Sequence, residues 1–497
     1  MIDRVIVLGG GSAGFLSALA LKKKIWNLEV IVIRSKDIGI IGVGEGSTAV
    51  LTRFLHDYIQ VPTRKFFEKA LPTWKLGLRF LWGPRGSFHY TFNNTQLTGI
   101  PKDLPRMKAC YCWEEMEYED PLSALMSQNK GFERDLKGGP VFHPNLAYHV
   151  ENERFAGFLE EFAVASGIIV RDDKVTDVEQ NDKGVAALQL ESGQRETADL
   201  FVDASGFASV LLGKTLGEPF LSFQDRLFCD RAVVGGWDRK EMEDQVIRPY
   251  TTCEEMDSGW CWQIEHEHRI NRGYVYSSRF ISDDDAEKEF RTKNPKVGPT
   301  RIVRFVAGRY RNLWVKNVVA VGNAGGFVEP LEATALGAIA YQSATLADTL
   351  VDCNRDVTPS AQRQYNRAQA RSWDDIRDFL AIHYRFNTRL DTPFWRHCRE
   401  ATDLGDAAEF VEVYQENGPC TWLEGTLSKN NQFGAAGYLA LLMGQKVKPG
   451  RRHPATAKEL QAWNMERQKV KSMATNGLTV RQALAAIRSP KWKWRNE

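Results

Sequence analysis

The chain has no C-x-x-C pair. Its eight cysteines stand apart at 110, 112, 229, 253, 261, 353, 398 and 420, and only Cys110 and Cys112 are close. Neither a disulfide scaffold nor a zinc ribbon has such spacing, so the thiols are expected to be reduced, with no metal site, in a cytoplasmic protein. There is also no charge excess. Sixty-five basic against 63 acidic residues leave +2, which gives no basis for a nucleic-acid-binding or membrane-surface face. Long hydrophobic runs are missing too. The longest uncharged stretch, Val5 to Leu21, is 17 residues. Glycines interrupt it and Lys22, Lys23 and Lys24 follow it, which argues against a signal peptide or a membrane span. No internal repeat and no low-complexity segment is present. What remains is 497 residues, 43% hydrophobic and 26% charged. That is an ordinary globular composition, with room for about three units of ~150 residues. Fourteen Trp and 26 Phe predict large apolar pockets or an aromatic-rich core.

Val5–Leu8 and Val30–Ile33 are short apolar runs separated by a glycine turn and a segment of helical composition. The pattern predicts a βαβ unit with a parallel sheet. The runs Leu200–Val202 and Val318–Val321 fit the same sheet, so the nucleotide region is discontinuous in sequence. Residues of about 80–140 show little periodicity. Alternation within 220–310 suggests an antiparallel sheet. From about 338 to 415 the pattern is helical, with Ile376, Phe379, Leu380 and Ile382 close to an i, i+3, i+4 stripe. The tail from Ala457 is again helical and ends rich in Lys and Arg.

Gly9, Gly11 and Gly14 form G-x-G-x-x-G after a strand and at the start of a helix. The first allows the tight turn, the second lets a pyrophosphate approach the backbone, and the third lets helix and strand pack. The acid that usually closes the second strand is replaced by Arg34, and the motif alone does not separate NAD from FAD. A second glycine-dense segment, Ile41–Thr48, suggests backbone pressed against a flat ligand. Lys75 sits in the largely apolar segment Trp74–Phe80, where a desolvated ammonium is costly without a role. Trp260 and Trp262 at i, i+2 would share one face of a strand. Gly322–Gly337 runs from a strand end through a glycine turn into a helix, leaving the amides of Thr334 and Ala335 free for an anion.

Together these segments resemble the flavin-dependent halogenases of the tryptophan-halogenase type. The resemblance runs in collinear order over most of residues 1–400. It takes in the Gly9–Gly14 turn, Glu45, Lys75, Gly259–Ile264, Gly273–Ser278, Glu329–Thr334, Trp373–Tyr384 and Asp391–Trp395. It implies an α/β fold: an FAD-binding, Rossmann-like box with an antiparallel substrate-side sheet and a mostly helical C-terminal pyramid. Residues 1–345 would form the discontinuous FAD box with inserted substrate-side segments, and 346–497 a helical region completing the substrate pocket.

The implied activity is an oxidoreductase of monooxygenase type. Reduced FAD, O2 and a halide (chloride, bromide or iodide) give hypohalous acid. This passes through a tunnel to Lys75 and halogenates an electron-rich aromatic of indole or phenol type. Lys75 and Glu332 are the implied catalytic pair, and Thr334 and Ala335 the halide-binding amides. Flavin contacts fall on Gly9, Gly10, Gly11, Ser12, Ala13, Gly14, Ser35, Ile38, Ile41, Val43, Gly46, Val175, Asn323 and Leu336. Tyr90, Phe92, Trp260 and Trp262 would wall the substrate. Implied partners are a separate NAD(P)H-dependent flavin reductase and a small aromatic substrate, the chain being a monomer or homodimer. A single-component FAD hydroxylase shares the fold, and the lysine–glutamate pair distinguishes the two.

Three departures from the family stand out. Glu265 replaces the proline after Ile264, and Arg34 replaces the ribose-binding acid. The third is that no aromatic clamp for free tryptophan is recognisable around Asn431–Tyr438. A non-tryptophan or broad aromatic scope is therefore expected.

Overall fold

The computed structural model describes residues 1–39, 42, 44–93, 95–239 and 246–494. Val5, Ile6 and Val7 are fully buried in the strand Arg4–Leu8. This strand is covered on both faces, which is why its sequence is apolar without alternation. It lies at the centre of a six-stranded sheet ordered Ile169–Asp172, Glu29–Arg34, Arg4–Leu8, Leu200–Asp203, Val318–Ala320 and Trp314–Val315. The first five strands are parallel, and the last closes the sheet antiparallel. The predicted βαβ unit and the two distant strands are therefore present.

The turn into the helix Ser12–Lys24 depends on two glycines. Gly9 has φ +126°, and a Cβ there would lie 2.2 Å from the Ala204 carbonyl oxygen. A Cβ on Gly14 would lie 1.9 Å from the Gly9 carbonyl oxygen, so neither position accepts a side chain. The helix Ala335–Asp352 packs against Ser12–Lys24, with Ser17 Oγ and Ser343 Oγ 3.0 Å apart.

A seven-stranded sheet carries the opposite side. Its order is Arg301–Arg304, Arg231–Asp238, Arg269–Tyr276, Gly259–Glu265, Tyr250–Met256, Gly77–Leu81 and Phe88–Thr91. All neighbours are antiparallel except Tyr250–Met256 and Gly77–Leu81, which run parallel. The strand Phe88–Thr91 falls within the stretch that lacked periodicity. All four of its residues are buried, so burial on both faces removes the alternation that would have marked it.

A small third sheet places the Glu45–Gly46 and Thr73–Lys75 segments on either side of Ala147–Val150. The helices Pro359–Arg385, Pro393–Ala401, Ala407–Asn417 and Gly434–Gly444 follow. Thr358 and Thr392 cap the first two, each with proline opening the helix. Ala457–Thr475 and Val480–Ile487 both start with capping boxes. Beyond them Trp494 packs on Phe67 at 5.6 Å and Trp492 on Phe142 at 5.8 Å. Among the described residues no helix is long and apolar enough to cross a membrane.

Candidate active site

A cavity of about 730 Å3 opens along the carboxyl ends of the parallel strands, the usual place for a ligand in such a sheet. Its floor is the start of the helix Ser12–Lys24. The N-cap, Gly11, supplies no side chain, and the first turn has no acid. A Cβ built on Gly11 would meet nothing within 4 Å among the described residues, so this turn faces the cavity. Such a terminus binds a pyrophosphate through its N–H groups and dipole. One end of the cavity is polar, with Arg34, Glu160 and Lys174. The other is walled by Trp262, Ile264, Val275 and Phe327. These residues fit a dinucleotide with a flat ring at the apolar end.

Of the expected flavin contacts, Gly9, Gly10, Gly11, Ser12, Ala13, Ser35, Ile38, Gly46, Val175 and Asn323 line this cavity. Gly14 and Leu336 are buried behind it. Ile41 and Val43 lie outside the described residues.

At the apolar end the chain turns through the short helix Pro330–Glu332 and Ala333, whose φ is +54°, and enters the helix Ala335–Asp352. Thr334 is the N-cap and makes no side-chain cap bond, and the first turn again has no acid. Ala333 and Ala335 line the cavity, while Thr334 is buried beside them. The site therefore presents the first-turn amides of an eighteen-residue helix to the flat-ring end, a suitable place for a small anion.

Lys75 is fully buried, and its Nζ has no hydrogen-bond partner among the described residues. On one side a Cβ built on Gly46, which lines the large cavity, would lie 3.1 Å from Nζ and 3.0 Å from Thr251 Oγ1. On the other side Nζ is 5.1 Å from the centre of the Phe92 ring. Phe92 lines a second, smaller pocket with Tyr90, Glu332, Phe433, Thr48 and Arg53. The lysine thus stands between the two spaces. Burial lowers its pKa to about 7, opposed by the charges of Cys253 and Glu332. Loss of hydration outweighs the favourable charges here.

Glu332 is buried, and burial raises its carboxyl pKa against the opposing effects of His383 and Lys75. Its Oε1 is 2.7 Å from His383 Nε2, so one proton lies between the two atoms. His383 Nδ1 is 3.3 Å from the Phe379 carbonyl oxygen. Trp260 is fully buried, and its indole N–H donates to Glu329 Oε2 at 3.1 Å. Trp262, two residues on, lines the large cavity and not the smaller pocket. Glu265, in place of the family proline, is buried and salt-bridged to Arg239, and to Arg248 at 2.9 Å. Its carbonyl accepts from Thr73 Oγ1 at 2.5 Å, which ties the tryptophan strand to the strand that carries Lys75.

Sequence reasoning missed His383, Phe433 and Glu329. His383 had a signal: a polar residue on the apolar face that Phe379 and Ile382 define. Phe433 comes from the segment that lacked a recognisable clamp. It stacks on Phe379 at 3.7 Å and 10° and gives the pocket one more aromatic wall.

The family model for tryptophan halogenase matches residues 4–460. The chain is 31% identical over 448 residues to the tryptophan 6-halogenase ThaL of Streptomyces albogriseolus, covering 84% of this chain and 83% of that protein. It is 33% identical to the tryptophan 7-halogenase KtzQ of Kutzneria sp., covering 84% and 82%. Among solved structures, MibH, a lathipeptide tryptophan 5-halogenase, superposes with a TM-score of 0.88 at 36% identity, over 98% of this chain and 93% of that one. BrvH, a flavin-dependent halogenase from Brevundimonas sp. BAL3, gives 0.86 at 26%, over 98% and 100%. The chain belongs to the tryptophan halogenase family of flavin-dependent halogenases.

Proposed function

We propose that this chain halogenates an electron-rich indole or phenol with hypohalous acid delivered to Lys75. The observation that carries this reading is the buried Lys75 nitrogen, without a hydrogen bond among the described residues, between a dinucleotide-shaped cavity and an aromatic-walled pocket. Bound reduced FAD, with O2, supplies the oxidising equivalent that converts halide to hypohalous acid. The amides of Thr334 and Ala335 hold the halide at the flat-ring end. Lys75 receives the oxidant and fixes its position, as the ammonium by a hydrogen bond or as the neutral amine by taking the halogen from hypohalous acid with release of water; a pKa of about 7 populates both forms near neutral pH. Tyr90, Phe92 and Phe433 hold the ring against it. Glu332 stabilises the positive charge that develops on the ring, and with His383 it takes the displaced ring proton. The low-dielectric walls strengthen that electrostatic effect and keep water from the oxidant. Residues 1–345 make the oxidant, and 346–497 contribute His383 and Phe433 to its use.

The similarity to MibH, a lathipeptide tryptophan 5-halogenase, supports including an indole carried on a peptide in that substrate class. Bromide and iodide should outperform chloride because they are more easily oxidised.

The sequence holds no second dinucleotide fingerprint, which supports a separate NAD(P)H-dependent flavin reductase as the source of reduced FAD. Purified protein with FAD, O2, bromide and NADH or NADPH is expected to show negligible nicotinamide oxidation until a flavin reductase is added. Rapid NADPH oxidation by the isolated chain would favour the hydroxylase.

A further inference from the structure

The second strand of the nucleotide sheet ends in Arg34, where a dinucleotide fold ordinarily places the acid that bonds the adenosine ribose. The Arg34 stem lies against the glycine turn: a Cβ on Gly10 would come within 2.5 Å of Arg34 Cβ. Its guanidinium reaches across to Glu160 Oε1 at 2.5 Å and to Asp172 Oδ1 at 3.2 Å. Glu160 belongs to the helix Asn152–Ala165. Asn152, Ala156 and Glu160, spaced i, i+4, i+8, line the cavity from its middle to this end. The two acids differ in what they leave free. Asp172 also accepts from the Lys36 amide at 3.0 Å and pairs with Lys36 Nζ at 3.2 Å, so both its oxygens are engaged, and it does not line the cavity. Glu160 gives one oxygen to Arg34. Its Oε2 has no hydrogen bond among the described residues, and its side chain is 31% exposed.

We propose that Glu160 replaces the strand-end acid as the acceptor for the ribose hydroxyls of FAD, with Arg34 holding it in position. The arginine that interrupts the motif at the strand end thus carries the carboxylate on its guanidinium. The ion pair also limits the repulsion between that carboxylate and a nearby pyrophosphate. The proposal rests on the reading that the cofactor is FAD.

FMN ends before the adenosine, so it serves as the internal control. Binding of oxidised FAD and of FMN to the full chain is measured by flavin fluorescence for wild type, Glu160→Gln and Asp172→Asn. Wild type is expected to bind FAD more tightly than FMN. Glu160→Gln is expected to lose about tenfold in FAD affinity, the scale of a hydrogen bond to a charged group. It should keep its FMN affinity, which also shows that the variant is folded. Asp172→Asn is expected to lose less. An unchanged FAD affinity in Glu160→Gln, or equal losses for FAD and FMN, would overturn the assignment of Glu160 alone. Wild type binding FAD no more tightly than FMN would overturn the FAD reading, and the proposal with it.

Discussion

Lys75→Ala is expected to lower aromatic halogenation by about a thousandfold, the upper range for removing one preorganised polar group from a closed site. Flavin affinity and hypohalous acid formation should stay close to wild type, because the lysine lines neither the glycine turn nor the helix start at Thr334. The check is a pair of assays on one preparation: brominated product from the aromatic substrate, and total oxidant caught by a diffusible scavenger. Parallel loss of both would place Lys75 in oxidant formation instead. Near wild-type halogenation in the presence of scavenger would remove its role.

The lysine also has a thermodynamic signature. Its pKa falls from 10.5 to about 7 on folding, so the unfolded chain binds more protons between those values, and stability from this group rises with pH across that window. Below pH 7 the folded state bears the whole cost, on the order of 5 kcal/mol. Lys75→Met should therefore raise the melting temperature most at neutral and lower pH, with the gain shrinking towards pH 10.5. An inactive but more stable variant is what a residue retained for chemistry predicts.

Glu332→Gln is expected to slow halogenation roughly 100-fold, about 3 kcal/mol of transition-state stabilisation, with little change in flavin affinity. The carboxylate lines the aromatic pocket and is bonded to His383. In the proposed reaction ring charge develops in that pocket, and the amide would not balance it. Steady-state rates and flavin titrations on the same protein separate the two effects. Equal rates for variant and wild type would take Glu332 out of the mechanism.

Local physics made the cofactor half of the site legible. Gly9 and Gly14 are required by contacts within their own turn, and Gly11 by the space it leaves open, so their spacing carries meaning without the rest of the fold. The reaction half depends on long-range pairing. Lys75 comes within the electrostatic influence of Glu332 because Thr73–Lys75 pairs with Ala147–Val150 and Thr73 is bonded to the Glu265 carbonyl. No local pattern encodes those partners, so that pair emerged from a family resemblance. His383 was hidden differently. The helical stripe Ile376, Phe379, Leu380 and Ile382 was readable and all four are fully buried, but a histidine on that face reads equally as a satisfied core residue until Glu332 is placed opposite it. The strand Phe88–Thr91, which carries Tyr90, escaped because its burial on both faces leaves no period. Glu265 and Arg34, legible as departures, have acquired partners: Arg239 and Arg248 for the first, Glu160 and Asp172 for the second.

The most direct measurement is the exact mass of the product from an indole and phenol panel, incubated with this protein, FAD, a flavin reductase, NADH and O2, with and without bromide. Ring-brominated product is expected, with the halogen on carbon and with formation dependent on bromide, the reductase and Lys75. Product carrying an added oxygen in place of bromine, formed equally well without bromide, would contradict it.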